Sequence, residues 1–182
     1  MRITTGKFKG RNLAMPKGIR PTQVITRKAI FDILGDIEGL SFLELFAGSG
    51  AVSFEALSRG AKVAVLVEQN GECVSTIKKN MEMLKTFDSC VLYPIDSLKA
   101  IKSLQQGRKT FDIIFLDPPY YQDWVKKTLQ TLEACDILSR NGLVVAQHFK
   151  KESLPEFPGV LSLLRQYTYG STVLSIFRKE SK

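Results

Sequence analysis

Between residues 41 and 147 one pattern repeats: a short apolar run, then a longer stretch with apolar residues at helical spacing. Such alternation predicts βαβ units, and hence a parallel sheet with helices packed on it. The strand-like runs are 41–46 (SFLELF), 62–68 (KVAVLVE), 90–95, 111–116 (FDIIFL) and 143–147 (LVVAQ). Helices are predicted from the glycine turn to Leu57, then over 71–84, 97–105 and 124–135. Ser97 is the expected cap of the third, and Val74, Ile77, Met81 and Leu84 form the inward stripe of the second. Pro155, Pro158 and Gly159 break the chain before two last runs, 161–169 and 172–178. Joined at Gly170-Ser171, these read as a closing antiparallel hairpin. Ahead of the repeat, 2–5 and 12–15 are short strand candidates, and Thr22 is placed to cap a helix ending near Leu34. The expectation is an α/β chain with a doubly wound, Rossmann-like, seven-stranded sheet over residues 37–182. A small extension of hairpin plus helix is expected over residues 1–36.

A chain of 182 residues, 44% hydrophobic and 24% charged, is ordinary for one globular unit. It fits no disordered, collagen-like or disulfide-rich class. No apolar run approaches the roughly 18 residues that span a bilayer. The basic first residues are followed by no apolar stretch, so no secretory signal is expected. Cys73, Cys90 and Cys135 are odd in number and widely spaced, which suits reduced thiols in a cytoplasm and no zinc site. Charge is more informative. The chain has 26 Lys and Arg against 18 Asp and Glu. Eight basic residues and no acid fall in residues 1–31, so the rest of the chain is balanced and the whole excess sits at one end. That distribution suits a polyanion binder, though a solvated basic tail would have the same composition.

Three motifs carry chemistry. In the first, Leu43-Glu44-Leu45-Phe46-Ala47-Gly48-Ser49-Gly50 turns a strand through glycines into a helix. Ligands of open α/β sheets bind at such strand ends. The third glycine of a dinucleotide fingerprint is replaced by Ser53, which disfavours NAD. The second motif is an acid at each following strand end. Glu68 is spaced from the turn as an acid that meets ribose hydroxyls, and Asp96 is placed to accept from an adenine amino group. The third is Asp117-Pro118-Pro119-Tyr120, whose prolines end their strand. An exocyclic amine on a base is a poor nucleophile, because its lone pair is delocalised into the ring. Two fixed acceptors, the Asp117 carboxylate and the Pro118 carbonyl, can pyramidalise that nitrogen and aim it at a methyl donor. Tyr120 offers a ring face to a base drawn out of its stack.

Together Phe46-Ala47-Gly48-Ser49-Gly50, Glu68 and Asp117-Pro-Pro-Tyr120 resemble the motifs of class I S-adenosylmethionine-dependent amino-methyltransferases. Over nearly the whole chain the sequence resembles the RsmD-type small-subunit ribosomal RNA guanine-N2 methyltransferases. Met1-Arg-Ile-Thr-Thr-Gly-Lys-Phe-Lys-Gly-Arg11, Arg20-Pro21-Thr22 and Tyr169-Gly170-Ser171-Thr172 extend that likeness. The resemblance implies that Glu44, Phe46, Ala47, Gly48, Gly50, Glu68, Asp96 and Asp117 bind S-adenosylmethionine, with S-adenosylhomocysteine as product and no metal. It implies catalytic roles for Asp117, Pro118 and Tyr120 on guanine 966 of 16S RNA. An assembling 30S particle is the implied partner, and a cytoplasmic monomer off the membrane the implied state. Three departures stand out. Glu44 replaces a usual aspartate, Ile25 and Lys28 replace an arginine and a glutamate, and Gln147 stands where a glutamate is common.

Lys7, Lys9, Arg11, Arg20, Thr22 and Arg27 are the candidate RNA contacts, phosphate contacts being those that position without reading sequence. Phe8, between two lysines, is placed to stack a loop base or to enter the core. Tyr121 and Trp124 either border the target pocket or pack the following helix. His148 reads as a surface or supporting residue, not a metal ligand. The competing functions are methylation of adenine N6 in DNA or RNA, methylation of a protein glutamine, and a catalytically silent RNA-binding assembly factor.

Overall fold

A computed structural model describes residues 1–18, 24–120, 123–154 and 159–180. Helix α1 (Val24–Leu34) precedes an alternation of five strands with four helices: β1 (Ser41–Leu45), α2 (Ala51–Ser58), β2 (Val63–Val67), α3 (Gly71–Leu84), β3 (Cys90–Tyr93), α4 (Ser97–Gln106), β4 (Phe111–Leu116), α5 (Trp124–Ala134) and β5 (Leu138–Phe149). The chain closes with β6 (Leu161–Tyr169) and β7 (Thr172–Lys179). The sheet has seven strands in the order β3-β2-β1-β4-β5-β7-β6. The first five are parallel, and the last two form an antiparallel hairpin along β5. This is the doubly wound α/β arrangement that the alternation predicts.

Strand alternation explains the layers. On β1, Leu43 and Leu45 join one core with α4 and α5, through Ile101, Leu104, Leu129 and Leu132. Phe42 faces the opposite side, where Ile30 and Phe31 of α1 and Val52 and Ala56 of α2 lie. A third cluster joins α2 and α3 to Ile3 and Leu13 of the N-terminal segment. Parallel strands covered on both faces are almost wholly apolar, as β2 is.

Several boundaries differ from the sequence expectation, each for a physical reason. The fifth strand begins at Leu138, which pairs with Phe111 of β4, and runs to Phe149, which pairs with Thr172 of β7. The expected N-terminal hairpin is present but short: around one antiparallel bridge, Arg2 to Asn12, the Ile3 amide donates to Arg11, the Gly10 amide to Ile3, and Met1 and Leu13 exchange backbone bonds. Between the two arms, Thr4, Thr5, Lys7 and Phe8 direct further hydrogen bonds to α2. Ser97 is not the cap of α4; Asp96 is, its Oδ1 accepting from the Lys99 amide at 3.0 Å. On α3 the inward face is Cys73, Thr76, Ile77, Asn80, Met81 and Leu84, with Val74 only half-buried. The expected cap Thr22 and the breaks at Pro155 and Pro158 lie outside the described residues.

The N-terminal segment is held by one buried carboxylate. Glu55 of α2 accepts from the Thr4 amide and hydroxyl at 2.9 and 2.6 Å and from the Thr5 amide at 3.0 Å. It also pairs with Arg27 at 3.6 Å and Arg59 at 3.3 Å. Ser58 completes the attachment, its carbonyl and hydroxyl accepting from the amides of Lys7 and Phe8. Arg27 is only 1% exposed. Its guanidinium donates to the Met1 sulfur and to the Arg2 carbonyl. Burial lowers its pKa, against the opposing pull of Glu55 and Glu44. The expectation that Arg27 touches RNA phosphate is therefore overturned: it is an internal cross-link.

Removing one partner of a buried ion pair leaves the other charge uncompensated, at a cost of about 3–5 kcal/mol. Glu55→Ala is expected to lose stability in that range on urea denaturation and to expose residues 1–13 to protease. A loss below about 1 kcal/mol would show that the segment is held by its apolar contacts alone.

Candidate active site

The sheet registers bring the predicted motifs together. Leu45 pairs with Val67 on one side and with Leu116 on the other. The next residues, Phe46, Glu68 and Asp117, therefore leave the sheet at one height, with strands about 5 Å apart. Ala146 is level with Leu116, which adds Gln147 to the same row.

The glycine turn is built by backbone conformation. Phe46 has φ 60°, a left-handed value costly for a residue with a Cβ. Its ring meets Trp124 edge-on at 6.0 Å between centroids. Ala47 donates to the Val67 carbonyl at 3.0 Å and accepts from Gly50 at 2.8 Å. Gly48 and Gly50 both have positive φ, yet they serve different ends. A Cβ at Gly50 would lie 2.6 Å from Leu66 and 2.8 Å from Phe54, so glycine there is required by packing. A Cβ at Gly48 would meet nothing within 4 Å, so the turn is open at that point.

Glu68 joins the turn to the second strand end. Its Oε2 accepts from the Gly48 amide at 2.7 Å and its Oε1 from the Asn70 amide at 2.8 Å. Each oxygen keeps a lone pair, and the side chain is half-buried. Asp96, also half-buried, stands three residues past β3 and uses Oδ1 to cap α4. At the fourth strand end Asp117 is half-buried, Pro118 buried, Pro119 exposed and Tyr120 half-buried. The Tyr120 ring lies 6.1 Å from Phe149, and its hydroxyl is 3.5 Å from that of Thr172.

Glu44 lies beneath this surface. It is 3% exposed, and its Oε2 accepts from the Ser53 amide at 2.9 Å, tying the first turn of α2 to the strand. Burial raises its pKa to about 8; Asp117 and Glu68 push in the same direction, and hydrogen bonding from Ser53 opposes them. Its place is under the turn, holding it, rather than on the open face.

Of the expected RNA contacts, Lys7, Lys9 and Arg11 lie at the surface, with the Lys7 ammonium 4.9 Å from the Phe8 ring. Arg20, Thr22 and Tyr121 lie outside the described residues. His148 is buried, not superficial: its Nε2 lies 2.8 Å from the Ser175 hydroxyl. Among the described residues no group of three His, Cys, Asp or Glu is placed to hold a metal, and no helix is long and apolar enough to cross a membrane.

Two asparagines do not stand out in the sequence. Asn70 caps α3, accepting from Glu72 and Cys73, and a helix-start rule applied at 70–71 finds it. Asn80 is fully buried. Its Nδ2 donates to the carbonyls of Ser49 in the glycine turn and Ala14 in the N-terminal segment, and its Oδ1 accepts from the Ala14 amide. A polar residue on the apolar face of α3 is its only signal.

A pH test follows from Glu44. With its folded pKa near 8 against an ordinary 4.5, the native state holds a proton that the unfolded chain releases. Stability from this group is complete below the unfolded value and is lost as pH rises toward the folded one. Glu44→Gln keeps a neutral group throughout and is expected to gain on the natural protein in urea midpoints between about pH 5 and 8. A difference independent of pH over that window would sink the assignment.

Comparisons with known proteins give the family and agree with the fold. The Bacillus subtilis protein YlbH is 35% identical over 182 residues, covering 98% of this chain and 99% of its own. The ribosomal RNA small subunit methyltransferase D of Escherichia coli K12 is 31% identical over 185 residues, covering all of this chain and 91% of its own. The solved structure of the Escherichia coli methyltransferase-like protein yhhF superposes with a TM-score of 0.89 at 30% identity, covering 100% of this chain and 99% of that one. The family model described as conserved hypothetical protein 95 matches residues 1–178. The chain belongs to that family, the RsmD-type family its motifs resemble.

Proposed function

We propose that this protein methylates the exocyclic N2 of a guanine in small-subunit ribosomal RNA, the nucleotide numbered 966 in the 16S molecule, with S-adenosylmethionine as donor. The observation that carries this reading is the row of strand ends. The glycine turn, the acid bonded to it and the aspartate–proline corner lie side by side at one height. The name of the Escherichia coli relative, a small-subunit rRNA methyltransferase, supports the substrate class.

The residues fit the donor. Gly48 leaves room for a ligand against its backbone, and Glu68 stands beside it with acceptor capacity for two hydroxyls. Asp96 has Oδ2 as its remaining acceptor toward an amino group. Phe46 and Ala47 shape the floor of the turn, and Glu44 holds that turn from below. When bound, the donor supplies a methyl group activated by a sulfonium.

Asp117 and the Pro118 carbonyl each accept one N–H of the target amine, which turns the nitrogen lone pair outward. Because the acceptors are fixed before reaction, little reorganisation is needed in the transition state. Tyr120 stacks on the flipped base, worth about 1–3 kcal/mol. After transfer the nitrogen carries an extra proton, which Asp117 Oδ takes and passes to water. No covalent bond to the protein forms.

The surface residues Lys7, Lys9 and Arg11 engage phosphates. Residues 1–36 serve as the RNA-binding extension, to which Arg20 and Thr22 also belong by sequence. The protein acts as a monomer on an assembling 30S particle in the cytoplasm.

The test is to incubate the protein with methyl-labelled donor and small subunits lacking the mark, then map the label. Label on N2 of one guanine supports the reading. Label on adenine N6 favours the alternative base, and no label leaves an RNA-binding assembly factor. Asp117→Ala is expected to lower the rate by about 100-fold or more while donor affinity changes little. Near-normal turnover would remove Asp117 from the chemistry. Replacing Lys7, Lys9 and Arg11 by Gln is expected to weaken RNA binding and to flatten its salt slope by about one for each phosphate left unbound. An unchanged salt slope would place the interface elsewhere.

A further inference from the structure

Gln147 has no role in holding the donor or the amine, yet it stands in the same row. Leu116 and Ala146 are the last register partners of β4 and β5, so Asp117 and Gln147 follow as neighbours. Gln147 lies two residues beyond Val145 and Asp117 two beyond Phe115, the pair on the α1 and α2 side of the sheet. Gln147 is 6% exposed, and its Oε1 is buried without a hydrogen-bond partner among the described residues. An orphaned buried acceptor is costly, and the cost is met only when a donor arrives. Two residues along on the same face is Phe149, over which the Tyr120 ring lies. A base stacked on Tyr120 with its amine at Asp117 therefore turns its neighbouring ring edge toward Gln147.

The ring atom beside the amine distinguishes the bases. In guanine, N1 next to C2 carries a hydrogen. In adenine, N1 next to C6 carries a lone pair, and so does N3 next to C4 in cytosine. An acceptor beside the amine site welcomes the first and repels the other two. The same carboxamide matches the whole guanine edge: its oxygen accepts from N1–H while its nitrogen donates to O6, as in a pair of amides. We propose that Gln147 is the residue that selects guanine among amine-bearing bases, by accepting from N1–H. This rests on the methyltransferase reading above and assigns the specificity of that same site.

The decisive substrate is a small subunit reconstituted with 2-aminopurine at the target position, which keeps the amine but has a lone pair at N1 and no O6. With the natural protein, kcat/KM on 2-aminopurine is expected to fall about 100-fold or more below that on guanine. In Gln147→Leu the guanine rate drops until the two substrates agree within about threefold. Gln147→Glu retains a carboxyl acceptor and keeps the preference for guanine. Thermal unfolding and donor affinity separate this role from a structural one: Gln147→Leu, having lost an unsatisfied polar atom, is expected to be at least as stable as the natural protein. Equal rates of the natural protein on both bases, or full discrimination by Gln147→Leu, overturn the proposal. So does marked destabilisation of Gln147→Leu with discrimination intact. No labelling of guanine subunits by the natural protein overturns the methyltransferase reading instead.

Discussion

Everything at the site depends on parallel register. A residue one step beyond the last pair of each strand is fixed in height by backbone hydrogen bonds, not by the residue itself. Leu45, Val67, Leu116 and Ala146 set that height, and each is fully buried. A slip of one residue in any pair would carry its acid to the opposite face. The precision of the site is thus inherited from apolar side chains that touch nothing reactive.

Helix α2 binds this floor to the rest of the molecule. Its first turn is secured by Glu44 from β1, its middle by Glu55 to the N-terminal segment, and its last turn by Ser58 to the same segment. Its N-cap residue, Gly50, has no side chain with which to help. A helix of eight residues is too short to hold itself in water, so tertiary bonds decide its existence.

Much of the fold is legible in the sequence because period and punctuation agree. The 71–84 helix and the 111–116 strand fall where apolar spacing places them, and the hairpin follows its glycine. The strand-end row is legible too, since each motif ends an apolar run. What escapes has a common cause: it depends on partners distant in sequence or on competition for a single atom. Arg27 reads as one more cation in a basic segment until Glu55 meets it. Ser97 reads as the cap of α4 until Asp96, one residue earlier, accepts from the Lys99 amide. The bonds from Thr4, Thr5, Lys7 and Phe8 to α2 carry no local signal. Gln147 reads as the end of a strand, and its unpartnered buried Oε1 next to the β4 strand end is visible only in the fold.

Asn80 has a mechanical consequence. One amide grips a carbonyl of the glycine turn and both backbone groups of Ala14, three positions after Arg11. A displacement of either length of chain must break or drag bonds on the other. The turn and the N-terminal segment thus form one mechanical unit, joined through a single buried side chain.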